Sequence, residues 1–140
     1  MTRGLPQKGD LIFTSEAPLG KVALVPEREF SIAQRLMILR PAKDVLHPNF
    51  LFYQIMSERF QMRLKGKGTG STVTGVSSRN FVPLELIIAP PTEQTKIVEE
   101  IEARFSVADK IEKTVMQSLK QAERLRPSIL RKAFEGKRVP

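Results

Sequence analysis

The feature that most constrains this chain is a helical pattern over its last third, which begins after the proline pair Pro90-Pro91. Apolar and small residues recur there at alternating intervals of four and three, the a and d spacing of a coiled-coil heptad. Two charged residues, Glu112 and Arg126, interrupt the repeat. Its other members are Ile101, Phe105, Ala108, Val115, Leu119, Ala122, Ile129 and Ala133.

A helix with this repeat needs another helix. From Thr92, the predicted N-cap, to Leu125 there are 34 residues, which span about 50 Å at 1.5 Å per residue. So long a rod cannot bury its flanks against the roughly 90 residues that precede it. We therefore expect it to pack against a second copy or a partner. Pro127 should kink or break the helix, and Gly136 should cap its end.

The part before the proline pair is built differently, because seven of the eight Gly and eight of the ten Pro precede Thr92. These residues separate short apolar runs at hairpin-like spacing, which predicts an antiparallel, partly barrel-like sheet. The fold class is thus α+β, with a β-rich domain at 1–91 and a helical region at 92–140. Strands are predicted at 11–14, 21–25, 31–39 and 84–88, one helix at 48–65 and a helical turn at 77–81.

Charge and composition narrow the function. The chain has 23 Lys+Arg against 15 Asp+Glu, a net charge of +8, which favours a polyanionic partner such as nucleic acid. With no Cys and a single His, His47, disulfides, thiolate zinc sites and multi-histidine metal sites are excluded. No apolar run reaches the roughly 18 residues of a membrane span. We expect a cytoplasmic protein associated with nucleic acid.

A glycine-rich loop at 66–72 is the first candidate contact with DNA. Backbone amides, hydroxyls and ammonium groups in such loops bind phosphates, and residues 59–84 contain no acidic side chain. The order of a nucleotide-binding P-loop is absent. A plain surface loop with solvated lysines is the alternative. The candidates in and around this loop are Arg63, Lys65, Lys67, Thr69, Ser71, Thr72, Arg79 and Asn80.

A polar turn between the first two strands is the second candidate, with Thr14, Ser15 and Lys21 as possible DNA contacts. A turn without a ligand explains the same residues equally well. Gln34 and Arg35 interrupt an apolar run, and these side chains pair with adenine and guanine when they face a groove. The outer face of a strand is the alternative interpretation for both.

Catalytic constellations are nearly absent. His47 has no Ser and Asp partners in a triad-like arrangement, and the acidic residues show no metal-binding spacing. The run Pro90-Pro91-Thr92 superficially resembles the Asn-Pro-Pro-Tyr motif of amino-methyltransferases. However, Ala89 replaces the Asn, and no glycine loop for a cofactor exists. By itself the chain does not look like an enzyme.

Several segments resemble the specificity subunits of type I restriction–modification systems. The runs 9–14 and 20–25, and the glycine-rich loop before Ser77-Ser78-Arg79-Asn80-Phe81, resemble the second half of a target recognition domain. The most specific run is 83–98, which is similar to the family's junction of strand, proline pair and helix start. Residues 128–137 resemble the usual end of that helix.

The resemblance implies a division of labour. Two recognition domains would each read half of a split DNA site, and two antiparallel helices would set their separation. Methyltransferase and restriction subunits would dock on this assembly. S-adenosylmethionine would belong to the methyltransferase subunits, so no cofactor is expected on this chain. With one helix and part of one domain, we expect a fragment or truncated product that forms an antiparallel homodimer. A coiled-coil scaffold without competent DNA binding is the alternative.

Overall fold

The computed structural model describes residues 5–27, 35–67 and 75–136. Within them the chain forms three strands and four helices and divides into two compact units, Met1–Val98 and Glu99–Pro140. The expected α+β class is confirmed, and the domain boundary after residue 91 stays a prediction. The elements are β1 (Leu11–Thr14), β2 (Val22–Leu24), β3 (Leu36–Leu39), α1 (Pro48–Met56), α2 (Glu58–Lys67), α3 (Ser78–Phe81) and α4 (Pro91–Phe134).

The three strands form one antiparallel sheet in the order β2-β1-β3. Leu11 and Phe13 of β1 are fully buried and, because side chains alternate across a strand, both face the helices. The Phe13 ring lies 4.8 Å from that of Phe81, centroid to centroid. The core of this unit comprises Leu11, Phe13, Leu51, Ile55, Phe60, Leu64 and Val76.

The helix predicted at 48–65 is in fact two helices, α1 and α2, separated at Ser57. Ser57 takes an extended backbone conformation, with φ −62° and ψ 142°. Its hydroxyl accepts a hydrogen bond from the Phe60 amide at 3.3 Å, so the serine ends α1 and caps α2. His47 is the N-cap of α1, where its Nδ1 accepts from the Asn49 amide at 3.2 Å.

The strand predicted at 84–88 does not form. Instead, the side-chain amide of Gln54 on α1 pairs with the backbone of Ile87, donating to its carbonyl and accepting from its N–H. A side chain thus supplies the bonds that a neighbouring strand would have made. The predicted helical turn at 77–81 is present as α3, with Ser77 as its N-cap.

Helix α4 has 44 residues, about 66 Å at 1.5 Å per residue. It begins at Pro91, and the Pro90 carbonyl accepts from the amides of Glu93 and Gln94, so Thr92 is not the cap. The helix continues through Pro127, where a break had been one of two expected outcomes. It ends at Phe134, and Gly136 has the expected left-handed backbone, with φ +67°.

Gln94 fixes the first turns of α4 within the Met1–Val98 unit. Its fully buried amide accepts from the His47 N–H at 2.7 Å and donates to the carbonyls of Val45 and Ala89 at 2.8 and 2.7 Å. All three bonds join the amide to backbone atoms, two in the segment before α1 and one in the segment before α4. The start of α4 is therefore tied to the loop that precedes α1.

Candidate nucleic-acid interface

The turn between β1 and β2 is held by one of the predicted DNA-contact residues. The Thr14 hydroxyl donates to the Pro18 carbonyl at 2.5 Å and accepts from the Lys21 amide at 2.9 Å. The hydroxyl therefore closes the turn, which is the plain structural role that the sequence left open. The Lys21 side chain is exposed beside it.

Gly20 joins this turn to α2. Its φ is +86°, and its carbonyl accepts from the Gln61 side chain at 3.0 Å. An added Cβ at Gly20 would lie 2.5 Å from Gln61 Oε1 and 2.8 Å from Leu64 Cδ2. Both the conformation and the close approach require glycine. Lys21 directly follows Gly20, which is bound by Gln61, and Gln61 lies one helical turn before Lys65 on α2.

A set of backbone bonds at Ser15, which we call the Ser15 junction, brings three parts of the chain together. The Ser15 N–H and hydroxyl donate to the Arg35 carbonyl at 3.1 and 2.9 Å. The Ser15 carbonyl accepts from the Val76 N–H at 2.8 Å, and an added Cβ on Gly75 would lie 3.4 Å from the same carbonyl. The turn, the residue before β3 and the residues that follow the glycine-rich loop, Gly75 and Val76, therefore meet at Ser15.

Arg35 is exposed at this junction and forms an ion pair with Glu16, with Nε and Oε2 3.1 Å apart. No sequence pattern predicts this pair, because the two residues are 19 positions apart. Because both are solvent-accessible, the pair is weak and can exchange for another anion. The other predicted base-reading residue, Gln34, lies outside the described residues, as do Thr69, Ser71 and Thr72.

We call Arg59, Arg63, Lys65, Lys67 and Arg79 the basic stretch. Within it, Arg59, Lys65, Lys67 and Arg79 are exposed, whereas Arg63 is half-buried and lies 3.5 Å from a carboxylate oxygen of Glu85. Lys65 and Lys67 occupy the last turn of α2, where cations also favour the negative end of the helix dipole. These lysines thus have a structural role as well as being available to phosphates.

Arg79 and Asn80 lie on α3, which begins at Ser78, two residues after Val76 of the Ser15 junction. The Asn80 N–H bonds back to Ser77, so the backbone of this turn is already satisfied. Asn80 is half-buried and Arg79 is exposed. Of the two, Arg79 has the accessible charged group.

An ion pair that the sequence did not predict lies at the other end of β1. Asp10 is buried, and its carboxylate receives two hydrogen bonds from the Arg40 guanidinium, at 2.8 and 2.7 Å, and one from the Gln7 amide at 2.9 Å. The hydrogen bonds from Arg40 hold the pKa of the Asp10 carboxyl below its ordinary value, although burial raises it. The pair joins the residue before β1 to the residue after β3, and both carboxylate oxygens of Asp10 accept hydrogen bonds.

The predicted pairing face of α4 is open to solvent. Phe105, Val115 and Leu119 are each more than half exposed, at 55%, 59% and 55%, and Ile129 is 47% exposed. Ala108 and Ala122 are exposed as well, and Ile101 is half-buried. Such a long apolar stripe on a water-facing helix is typical of a surface that packs against another helix.

Neither a side-chain cluster that could hold a metal ion nor a helix that could cross a membrane occurs among the residues that the structure describes. Their acidic and histidine side chains form no group of three or more that would hold a metal ion. Their helices also do not combine the length with the apolar character that crossing a membrane requires.

Comparison with known proteins identifies the family to which the chain belongs. The family model described as "Type I restriction modification DNA specificity domain" matches residues 3–121. The chain is 32% identical to the EcoKI specificity subunit of Escherichia coli strain K12 over 93% of its length, and 32% identical to the EcoBI specificity subunit of Escherichia coli over 96%. It spans only 30% and 28% of the length of these two relatives.

Solved structures of proteins from type I systems also align with this chain. The HsdS subunit from Thermoanaerobacter tengcongensis aligns with a TM-score of 0.72 at 27% identity, over 90% of this chain and 33% of that one. A structure described as the basis of complex assembly and conformational transition of the type I R-M system aligns with a TM-score of 0.73 at 25% identity, over 97% and 36%. The relatives are named specificity subunits, which confirms the expectation of a non-catalytic component. The chain belongs to the DNA specificity family of type I restriction–modification systems.

Proposed function

We propose that the Met1–Val98 unit binds one half of a bipartite DNA site. The observation that carries this proposal is the Ser15 junction, where the polar turn, Arg35 and Val76, which follows the glycine-rich loop, meet. The basic stretch adds five cationic side chains, and residues 59–84 contain no acidic side chain. Such a surface supports phosphate contacts, which position a protein on DNA and dominate its affinity.

Base recognition would come from side chains near the same junction. Arg35 is the described residue suited to it, because a guanidinium can pair with both acceptors on the guanine edge. Its ion pair with Glu16 would exchange for the base at little cost, since both partners are exposed. The remaining candidates for base contact, Gln34 and the hydroxyls of the glycine-rich loop, stay predictions.

Binding to duplex DNA across a salt series tests this function. The logarithm of affinity should fall with the logarithm of salt at a slope of about −0.9 per phosphate contact. Replacing Lys65 and Lys67 together by Ala should reduce that slope by about 2 and weaken binding to every duplex alike. The matched control removes two exposed lysines of α4, Lys110 and Lys113, and should leave the slope unchanged. Equal effects of the two double variants would contradict the proposal.

We also propose partners for this unit. The relatives' names place specificity subunits in type I restriction enzymes, so methyltransferase and restriction subunits are the expected partners of the assembled protein. The exposed apolar face of α4 supports an antiparallel homodimer, in which two helices would set the spacing of two half-sites.

The same exposed face favours a second candidate function, a scaffold in which α4 binds a partner and DNA contact is lost. The two functions differ in one measurement. A scaffold would form the helical assembly but show no duplex binding at 50 mM salt, where phosphate contacts are strongest in the series.

A further inference from the structure

Glu16 is an acidic residue in the proposed DNA-binding surface. No other acidic residue occurs between Asp10 and Glu27, and none occurs in residues 59–84. Its side chain lies at the Ser15 junction, because Glu16 directly follows Ser15 in the turn between β1 and β2. A carboxylate repels phosphates and so lowers the affinity for every DNA sequence alike. A role for Glu16 in recognition must therefore involve a group that donates hydrogen bonds.

The group that Glu16 contacts is the guanidinium of Arg35. Glu16 Oε2 lies 3.1 Å from Arg35 Nε, and the two side chains are 44% and 74% exposed. A ligand can therefore reach both side chains from solvent, and an ion pair so exposed exchanges partners at little cost. The guanidinium has five N–H donors in a planar fork, which suits it to a ligand with two acceptors side by side.

Backbone bonds fix the points from which the two side chains extend. The Arg35 carbonyl accepts from the N–H and the hydroxyl of Ser15, the residue before Glu16, at 3.1 and 2.9 Å. The strands that these residues adjoin, β1 and β3, pair directly in the sheet. The stem of Glu16 lies beside Gly75, where an added Cβ would be 3.4 Å from Glu16 Cγ. The acid and the base are thus held close together before any ligand binds, which lowers the cost of ordering them.

The major-groove edge of a G·C base pair is complementary to these two side chains. Guanine presents two acceptors, N7 and O6, and cytosine presents the N4 amino donor. O6 and N4 are bonded to each other within the base pair, so they lie about 3 Å apart. Arg35 and Glu16 present a donor and an acceptor 3.1 Å apart, which is the same spacing with the opposite polarity. An A·T pair fits less well, because thymine offers the guanidinium one acceptor beside a methyl group.

The same carboxylate discriminates against phosphates. A phosphate that binds Arg35 must lie beside the negative charge of Glu16, and the two anions repel each other. A base edge is neutral, so it meets no such repulsion when the guanidinium moves from Glu16 to guanine. The released carboxylate can then accept from the cytosine amino group next to it.

We propose that Arg35 and Glu16 together read one G·C base pair, with Arg35 on the guanine and Glu16 on the cytosine amino group. This inference rests on the proposed function and adds the base pair that this part of the surface recognises. Glu16 is then a specificity-determining residue, which weakens binding to DNA in general and favours one base pair at one position.

Selection of bound duplexes from a random-sequence library, with the full chain, tests the proposal. The selected duplexes should share a fixed G·C base pair. Glu16→Gln should relax the choice at that position, with discrimination falling about tenfold. The same variant should bind unselected DNA about threefold more tightly, because it removes a negative charge. Arg35→Gln should change the preference at the same position and at no other.

Two matched variants control for the loss of an exposed ion pair. Glu27→Gln removes the partner of Lys8, and Arg104→Gln removes that of Glu100. Both should leave the selected sequence unchanged. Thermal unfolding checks the fold of all four variants, and each midpoint should shift by about 1 °C or less, because exposed pairs contribute little stability. The tighter binding expected of Glu16→Gln also cannot result from a loss of folded protein.

The outcomes separate this inference from the proposed function. Preferences that change at two different positions in the Glu16 and Arg35 variants would show that the residues do not share a base pair, and would overturn the proposal. A uniform loss of affinity in Arg35→Gln, with the selected sequence unchanged, would place Arg35 on a phosphate and overturn it as well. Salt-dependent binding without a fixed G·C pair overturns this inference and leaves the proposed function standing. A chain that binds no duplex at 50 mM salt overturns both.

Discussion

At the scale of single residues, three side-chain amides hold the first unit together by binding backbone atoms. Gln54 pairs with Ile87, Gln61 binds the carbonyls of Gly20 and Ile55, and Gln94 joins three backbone groups around the start of α4. These peptide groups lie outside the regular helices and strands, except for the Ile55 carbonyl, which is in the last turn of α1. A short sheet with few ladder bonds can therefore keep its loops in place.

The pair formed by Asp10 and Arg40 predicts a measurable loss of stability. Asp10→Asn removes the charge from a buried carboxylate that accepts two bonds from the guanidinium, and we expect thermal unfolding to begin about 5 °C lower. Glu27→Gln, which removes an exposed partner of Lys8, should shift the midpoint by about 1 °C or less. Equal shifts in the two variants would contradict the assignment.

The same pair predicts a pH dependence. Since the pKa of Asp10 is lower in the folded chain than in the unfolded one, its contribution is fully present above the unfolded pKa of about 4. It is lost as the pH falls through the lowered folded value. The gap between the melting points of the parent and Asp10→Asn should thus be constant from pH 7 to 5 and shrink below about 4. A gap that widens in acid would refute this.

At the scale of elements, helix α4 continues through a proline, a residue that usually bends or ends a helix. Pro127 lacks an N–H, so the Glu123 carbonyl has no donor four residues on, yet the helix continues to Phe134. The sequence correctly predicted the long helix from its heptad repeat. It could not decide whether the proline would bend or end the helix, because that depends on what the following turns, 128–134, pack against.

Replacing Pro127 should therefore strengthen α4. Pro127→Ala supplies the missing donor and should stabilise the helix by up to about 3 kcal/mol, seen as a higher helical melting temperature by circular dichroism. Pro91→Ala is the control, because proline at the first helical position loses no bond, and its effect should be small. An unchanged melting temperature for Pro127→Ala would mean that the helix does not run through residue 127 in solution.

Two other elements show where the sequence pattern fails. Residues 84–88 have the composition of a strand, but the Gln54 amide takes the bonds of Ile87, and no periodicity reveals a partner 33 residues away. The apolar spacing through residues 48–65 predicted one helix because Ser57 interrupts it without changing the period. A serine followed three residues later by a buried Phe60 is the local signal of a cap.

At the scale of the whole molecule, the proposed dimer joins two DNA-binding units. Leu119→Asp places an unpaired charge in the middle of the apolar repeat of α4 and should convert the dimer to monomer. The salt slope of duplex binding should then fall to about half, since one unit instead of two contacts the phosphates. Gln117→Asp, on the opposite face of the helix, is the control. A full slope in a monomeric Leu119→Asp variant would contradict the coupling.

The candidate site could be predicted from the sequence only in part. Charge clustering identified the basic stretch, and turn residues identified the hairpin, because both signals are local. The Ser15 junction was not predictable, since it depends on backbone bonds between residues 15, 35 and 76. The role of Thr14 was also ambiguous, because a threonine at this position in a turn can either close the turn or bind a phosphate, and the sequence is the same in both cases.

The Ser15 junction has a consequence for altering what the protein recognises. The bonds that hold Arg35 and Val76 there use backbone groups of those residues, which nearly any amino acid can supply. Replacing the exposed Arg35 therefore changes the side chain beside the turn without removing the bonds that its carbonyl accepts. Gly75 tolerates exchange as well, because an added Cβ would lie 3.4 Å from the Ser15 carbonyl, at the limit of ordinary van der Waals contact, so an alanine fits there.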